Sequence, residues 1–127
     1  MDNSSGVSPR IPGIIAGVPN NHYYTYSVGS VFFAVMSTET YFSYPAGVAL
    51  QYEFLDAQLG MVDRSVFPWI IVYGHRSIYC SCDTDCDSAA TTVRLGPKGD
   101  GVYGMETLFK KHAVDLFING HEHDYGT

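Results

Sequence analysis

The chain has 127 residues, enough for one hydrophobic core of ordinary size and too few for two complete domains. Hydrophobic residues make up 46% of the chain and charged residues 16%, a balance that excludes intrinsic disorder. Thirteen acidic side chains against 7 basic ones give a net charge of −6, which argues against a protein that binds nucleic acid by neutralising its phosphates. We therefore expect a folded domain with no nucleic-acid partner.

The N-terminal region carries no targeting pattern that we recognise. The longest apolar runs, Val31 to Met36 and Trp69 to Tyr73, are far shorter than the ~20 residues that span a bilayer, so no transmembrane segment is predicted. Residues 1–6 lack the basic start and apolar stretch of a secretory signal peptide. Residues 1–22, rich in Gly, Pro, Ser and Asn, are predicted to form a loop segment before the domain.

The first predicted elements are two strands, Tyr23 to Ser27 and Val31 to Ser37, joined by a turn at Gly29. The second strand is apolar on both faces, which is typical of a buried central strand. From Gly47 to Val62, apolar residues recur every three or four positions and predict an amphipathic helix. Its polar residues are expected on the rest of its surface. They are Gln51, Glu53, Asp56 and Gln58.

The second half of the chain adds further elements. Trp69 to Tyr73 predicts another buried strand, and residues 76–102 are interpreted as a long loop that is functional or mobile. Met105 and His112 mark the ends of one face of a second helix, on which His112 is expected to be a packed side chain, and Val114 to Ile118 predicts a third buried strand. The order strand, helix, strand, loop, helix, strand predicts an α/β fold with a largely parallel sheet.

Three histidines follow the ends of predicted strands. His75 comes after one strand, and His121 and His123 come after the next. Because ligands bind beyond the carboxyl ends of parallel strands, we expect the three imidazoles at one edge of the sheet, with Gly120 giving the backbone its freedom to turn. Histidine is the commonest metal ligand, and a pair of metals ~3.5 to 4 Å apart can clamp the oxygens of a phosphoryl group. The alternative is that some of these histidines are ordinary surface or packing residues.

The blocks that carry these histidines have a distinctive spacing. Val72-Tyr73-Gly74-His75 is similar to the Val-x-x-His block, and Gly120-His121-Glu122-His123 to the Gly-His-x-His block, of the purple acid phosphatases within the calcineurin-like metallophosphoesterases. The resemblance to the animal type continues over Arg10 to Gly13, Tyr23 to Glu39 and Pro68 to Cys80. It implies that residues 23–127 are the C-terminal part of such a domain, about one half of a two-sheet α/β/α sandwich.

The resemblance also implies a metal centre and a reaction. His75 and His121 would bind a divalent metal (zinc, manganese or iron), and His123 would bind Fe(III). The implied reaction is hydrolysis of small phosphate monoesters at acidic pH, in which a metal-activated hydroxide attacks phosphorus in line. Glu122 and Asp124 resemble supporting groups that fix ring tautomers or protonate a leaving group. An extracellular or lysosomal location is implied as well.

Three further blocks of the family, Asp-x-Gly, Gly-Asp-x-x-Tyr and Gly-Asn-His-Glu or Asp, stand upstream of the segment that this chain resembles. Gly99 to Tyr103 spells the second block, but in the wrong order along the chain, so we interpret it as a loop. The chain is therefore expected to carry part of a dinuclear centre, with doubtful activity by itself. The alternatives are a non-catalytic zinc-binding module and an inactive truncated fragment.

The chain has a cluster of cysteines, Cys80, Cys82 and Cys86. Three thiolates at this spacing could hold a structural zinc ion, although a clear fourth ligand is lacking. A local disulfide that leaves one free thiol would suit the compartments implied by the resemblance. The residues alone leave both interpretations open.

Overall fold

The computed structural model describes residues 21–81 and 84–123. The predicted loop segment 1–22 lies almost wholly outside this range, so its boundary stays a prediction. The elements are β1 (Tyr24–Val28), β2 (Val31–Val35), α1 (Thr40–Ser43), a 3-10 turn (Pro45–Gly47), α2 (Val48–Gly60), β3 (Trp69–Tyr73), α3 (Thr84–Leu95), α4 (Met105–Lys111) and β4 (Leu116–Ile118). Within the described ranges, every helix is too short or too polar to cross a membrane.

The four strands form one sheet in the order β1-β2-β3-β4. Strands β1 and β2 are antiparallel and are joined by a tight turn, in which Gly29 adopts a φ of +56°. Strand β3 runs parallel to both β2 and β4, so the carboxyl ends of these three strands meet at one edge. The predicted α/β class with a largely parallel sheet is confirmed, and β1 adds an antiparallel edge.

In the described part of the chain, one face of the sheet is well covered. Phe32 and Val72 are fully buried in the core, whereas the alternate residues Val31 and Phe33 are partly exposed. On this open face the ring of Phe33 stacks between those of Tyr26 and Tyr73, with centroids 4.8 and 5.7 Å apart. The prediction that β2 is buried on both faces is therefore wrong. The prediction that β4 is a buried strand is wrong as well, since Leu116 and Ile118 are 50% and 40% exposed. The alternating burial agrees with a sheet that forms about one half of a sandwich.

Helix α2 packs against the sheet with a more polar face than the sequence predicted. Gln51 and Gln58 were expected on its surface, and both are buried. The side-chain amide of Gln51 accepts from the backbone N–H of Ser37 at 2.8 Å and donates to its carbonyl at 3.1 Å. Gln58 accepts a hydrogen bond from the hydroxyl of Thr25 at 3.1 Å. Burial of these amides is tolerated because each is paired with a polar group of the sheet or its adjoining loop.

The loop predicted over residues 76–102 contains a helix, α3, so that prediction is wrong for much of its length. Cys86, Ala90 and Val93 lie on the buried side of α3. Their spacing of four and three residues is the periodicity of an amphipathic helix. The high content of Asp, Ser and Thr masked a buried face built largely from small side chains.

Asp115 fixes the start of β4 against β3. Its Oδ2 accepts a hydrogen bond from the backbone N–H of Ile70 at 2.7 Å and lies 2.6 Å from Nη1 of Arg64. The backbone N–H of Asp115 in turn donates to the carbonyl of Ile70 at 3.0 Å. The hydrogen bond from Ile70, followed by the contact with Arg64, lowers the pKa of the Asp115 carboxyl group. The charged carboxylate therefore stabilises the fold.

We expect Asp115→Asn to lower the free energy of unfolding by about 1 kcal/mol at pH 7, a value reduced by solvent screening. Because the pKa is lowered on folding, this stabilisation is present above the ordinary pKa of 3.8 and is lost as the pH falls through the folded-state value. Urea denaturation of both proteins at several pH values measures it, with the exposed Glu53→Gln as control. A difference that persists undiminished at about pH 2 would contradict this assignment.

Candidate metal centre

The carboxyl ends of β3 and β4 bring His75 and His121 together. The backbone N–H of Gly74 donates to the carbonyl of Ile118 at 3.0 Å, and that of Gly120 donates to the carbonyl of His75 at 2.9 Å. The segments that follow β3 and β4 thus stay paired beyond the strands. Nδ1 of His121 lies 2.8 Å from Nε2 of His75, with the ring planes 80° apart. We call these two side chains the histidine pair.

The backbone at His121 adopts an unusual turn that directs its ring. His121 has a φ of +73°, and the backbone N–H of Glu122 donates to the carbonyl of Gly120 at 3.0 Å. Together these features define a tight γ-turn centred on His121, a strained conformation of the kind found at functional sites. We predicted that Gly120 would supply the conformational freedom, and this is wrong, since the positive φ belongs to His121.

Arg76 lies beside the histidine pair and is held in place by the segment that follows β2. Its Nε and Nη2 bind the two carboxylate oxygens of Glu39 at 2.6 and 3.1 Å. Its backbone N–H donates to Oγ1 of Thr38 at 2.9 Å, and its Cζ lies 4.6 Å from the ring centroid of Phe42. The remaining terminal nitrogen, Nη1, lies 3.2 Å from Nε2 of His121. The guanidinium therefore links this segment to the pair.

The charges around Glu39 favour its ionised form. Hydrogen bonds from Arg76 lower the pKa of the Glu39 carboxyl group, and nearby His75 and His121 act in the same direction when charged. The same contact raises the pKa of Arg76. The ion pair thus remains charged at neutral and at mildly acidic pH, although its exposure to solvent limits its contribution to stability.

Gly74 allows the close approach that brings these segments together. A Cβ atom at this position would lie 2.8 Å from Cζ of Phe117 and 3.0 Å from Cγ2 of Thr38. Thr38 is itself fully buried and receives the Arg76 backbone hydrogen bond. A side chain at position 74 would therefore push apart the loop that precedes Arg76 and the strand that leads to His121.

The structure does not bring the remaining predicted site residues into the histidine pair. Glu122 Oε1 lies 3.8 Å from Nε2 of His121, His123 is exposed, and Asp124 lies outside the described residues. In residues 21–81 and 84–123, no three His, Cys, Asp or Glu side chains come close enough to hold one ion. The metal-binding roles of His75, His121 and His123 and the supporting roles of Glu122 and Asp124 stay predictions.

The chemistry of the histidine pair suits a divalent transition metal. Each imidazole offers one nitrogen lone pair, and zinc binds such nitrogens at about 2.0–2.1 Å. Two nitrogens that share one tetrahedral zinc ion stand roughly 3.3 Å apart, so the 2.8 Å separation of the pair would widen by about 0.5 Å to admit the ion. Two neutral nitrogen ligands with open positions beside them fit zinc, manganese or ferrous iron.

Of the two interpretations of the cysteine cluster, the structure supports a local disulfide. Cys80 and Cys86 form a disulfide, and Cys82 lies outside the described residues. A zinc site that uses all three thiolates is therefore ruled out in this structure. The bond ties the segment after His75 to helix α3.

Two other sequence patterns have structural roles. His112 packs at the end of α4, where its Nε2 lies 2.5 Å from Oδ1 of Asp56, as expected for a packed side chain. The Gly-Asp-x-x-Tyr pattern lies in the turn after α3. There Asp100 accepts a hydrogen bond from the backbone of Val102, and the Tyr103 carbonyl accepts one from Tyr41. Both groups serve the local packing.

Sequence reasoning assigned no role to Glu39, Arg76 or Gln51. Arg76 follows His75 directly, and a charged residue next to a candidate ligand is a usable signal. Glu39 stands in the Ser-Thr-Glu segment after β2, whose end lies beside that of β3. Gln51 could not be found from its spacing, because its amide binds a backbone 14 residues away.

Comparisons with known proteins agree with this geometry. The calcineurin-like phosphoesterase family model matches residues 9–125. Acid phosphatase type 7 of Homo sapiens is 39% identical over 110 residues, which cover 81% of this chain and 25% of that protein. Purple acid phosphatase 15 of Arabidopsis thaliana is 30% identical over an alignment that covers 87% of this chain and 18% of that protein. The structure of a purple acid phosphatase from yellow lupin (Lupinus luteus) seeds aligns with a TM-score of 0.55 at 26% identity. The alignment covers 84% of this chain and 18% of the lupin chain.

These matches confirm the resemblance seen in the sequence, including its implied fold. The chain spans about a quarter of the length of the human relative and less than a fifth of the two plant relatives. The alignment with part of a larger protein also agrees with the open face that the sheet has within the described residues.

Proposed function

The chain belongs to the calcineurin-like phosphoesterases, a family whose members here include acid phosphatases, and from this membership we propose that it contributes half of a dinuclear Fe(III)–M(II) site for hydrolysis of phosphate monoesters. The observation that carries the proposal is the histidine pair, with facing nitrogens 2.8 Å apart at the ends of two parallel strands. In open α/β sheets this edge is the usual ligand site.

In this proposal different residues of the chain bind the two metal ions. His75 and His121 would hold the divalent ion, which is zinc, manganese or iron, and His123 would hold Fe(III). Glu122 and Asp124 would orient the rings or transfer a proton to the leaving group. When bound, such a centre supplies Lewis acidity at the phosphoryl oxygens and an activated water. The protein's share is to fix the ligands and keep the site open to a small phosphate monoester.

The proposal extends to location. The disulfide between Cys80 and Cys86 supports an oxidising compartment, outside the cell or in a lysosome, because disulfides are rare in reducing cytosol. Mass determination of this chain from its native source, after alkylation without reduction, tests the location. Alkylation of both cysteines would contradict it.

The function is tested with the 127-residue chain. We expect one divalent ion bound per chain and at most trace hydrolysis of p-nitrophenyl phosphate at pH 5, because the described residues gather only two imidazoles. Metal content by mass spectrometry and the hydrolysis assay measure both. The longest native protein that contains this sequence is expected to bind two metals and to be active. A long form that binds no metal, or hydrolyses no monoester, would overturn the proposal.

A second candidate is a non-catalytic zinc-binding module. The observation in its favour is that the described residues bring together one pair of imidazoles and no larger group. It predicts one zinc per chain, destabilisation by chelators and no phosphatase activity even in the long form. Activity in the long form would exclude it.

A further inference from the structure

The contact between Arg76 and His121 has a defined direction. Glu39 binds Nε and Nη2 of the guanidinium, so the nitrogen that faces the histidine pair is Nη1, 3.2 Å from Nε2 of His121. The Thr38 hydroxyl fixes the backbone of Arg76, and the ring of Phe42 lies against the guanidinium. The position of Nη1 is therefore set by three anchors that do not involve the histidines.

The chemistry of a guanidinium determines where His121 keeps its proton. Arginine can donate hydrogen bonds and has no acceptor. Nε2 of a neutral His121 must therefore accept from Arg76, which leaves the ring proton on Nδ1. That N–H then donates across 2.8 Å to Nε2 of His75. Both ring nitrogens of His121 are engaged in this arrangement.

Neither ring nitrogen of His121 can bind a metal while this contact persists. A metal at Nε2 would stand where the Arg76 donor stands. A metal at Nδ1 would displace the proton, and the other place for it on a neutral ring is Nε2, where an N–H would face a group that only donates. Glu122, with Oε1 3.8 Å from Nε2, offers the acceptor that such an N–H needs.

The geometry points to Arg76 as a positioning residue that holds His121 in the metal-free site and releases it when the site is loaded. This inference rests on the proposed function of the histidine pair. Glu39 retains Nε and Nη2, so the released Nη1 remains beside the pair as a donor for an oxygen of the substrate's phosphoryl group. Glu39 balances the charge of the guanidinium, so the contribution of Arg76 to binding an anionic substrate is a directed hydrogen bond from Nη1.

Zinc titration calorimetry on the full chain tests the release. Arg76→Met is expected to bind zinc about tenfold more tightly than the wild type, because no hydrogen bond to Nε2 has to be broken. Lys110→Met, which removes a cation from an exposed pair with Glu106, is the control and should bind zinc like the wild type. The double variant Glu39→Gln/Arg76→Met should keep the gain, which separates loss of the contact from the uncompensated charge of Glu39.

A second measurement needs no variant. Long-range proton–nitrogen NMR of the metal-free chain should show His121 protonated on Nδ1, and the tautomer signature should disappear on adding zinc. Inorganic phosphate should then shift the Arg76 side-chain signals of the zinc-loaded chain alone. An Nε2–H tautomer without metal, or equal zinc affinity of wild type and Arg76→Met, would overturn the inference while leaving the proposed function intact. Absence of any zinc binding at the pair would overturn both.

Discussion

His121→Ala is expected to weaken zinc binding by the chain at least about 100-fold, since loss of a supporting partner alone costs 10–100-fold at metal sites. The substitution removes one of two facing nitrogens. His75→Ala should have a similar effect, because the partner nitrogen belongs to the same pair. Competition titration with a chromophoric chelator measures both affinities.

The control for this prediction is His22→Ala, which removes an exposed imidazole that is not a member of the histidine pair. It should leave zinc affinity unchanged. His123→Ala separates the two metal positions, because it should spare the zinc site of the chain and lower the iron content of the long native form. Zinc affinity that survives replacement of His75 and His121 together would show that the ion binds elsewhere.

Gln51→Met should lower the free energy of unfolding by about 2–4 kcal/mol, the largest stability effect we expect from one substitution. Methionine fills a similar volume, but it leaves the backbone N–H and carbonyl of Ser37 without their partner in a partly buried loop. Ser37 precedes Thr38 and Glu39, which anchor Arg76. Denaturant unfolding followed by circular dichroism measures the change.

Leu55→Met is the matched control, because it places the same new side chain on the same buried face of α2 without removing a hydrogen bond. It should cost less than about 1.5 kcal/mol, the usual limit for a volume-conserving apolar exchange. Equal losses in the two variants would mean that the Ser37 backbone is satisfied in another way. The assigned role of Gln51 would then be wrong.

The sequence predicted well what depends on periodicity and strand order. The runs of β2, β3 and β4 and the stripe of α2 were visible as patterns, and the order of elements led to the edge where the histidine pair lies. The buried face of α3 was missed because its apolar side chains are small and sit among Asp, Ser and Thr. The exposure of Phe33 was missed because an apolar run does not reveal which face has a neighbour.

The site was predictable only in part, for a different reason. His75 and His121 follow strand ends, and parallel pairing brings such ends together. Arg76 binds Glu39, which is 37 positions away along the chain, and contacts His121, which is 45 positions away. Local sequence patterns do not encode such distant pairs. The γ-turn at His121 depends equally on local backbone detail, so the turn was attributed to the freedom of the neighbouring Gly120.

X-ray absorption at the zinc edge, on the chain loaded with one equivalent of zinc, tests the central claim most directly. We predict two imidazole nitrogens at about 2.0–2.1 Å, with the rest of the shell made of oxygen, and loss of the imidazole signal in the double variant H75A/H121A. A sulfur shell at about 2.3 Å, or an imidazole signal that persists in that variant, would contradict the assignment of the metal to the histidine pair.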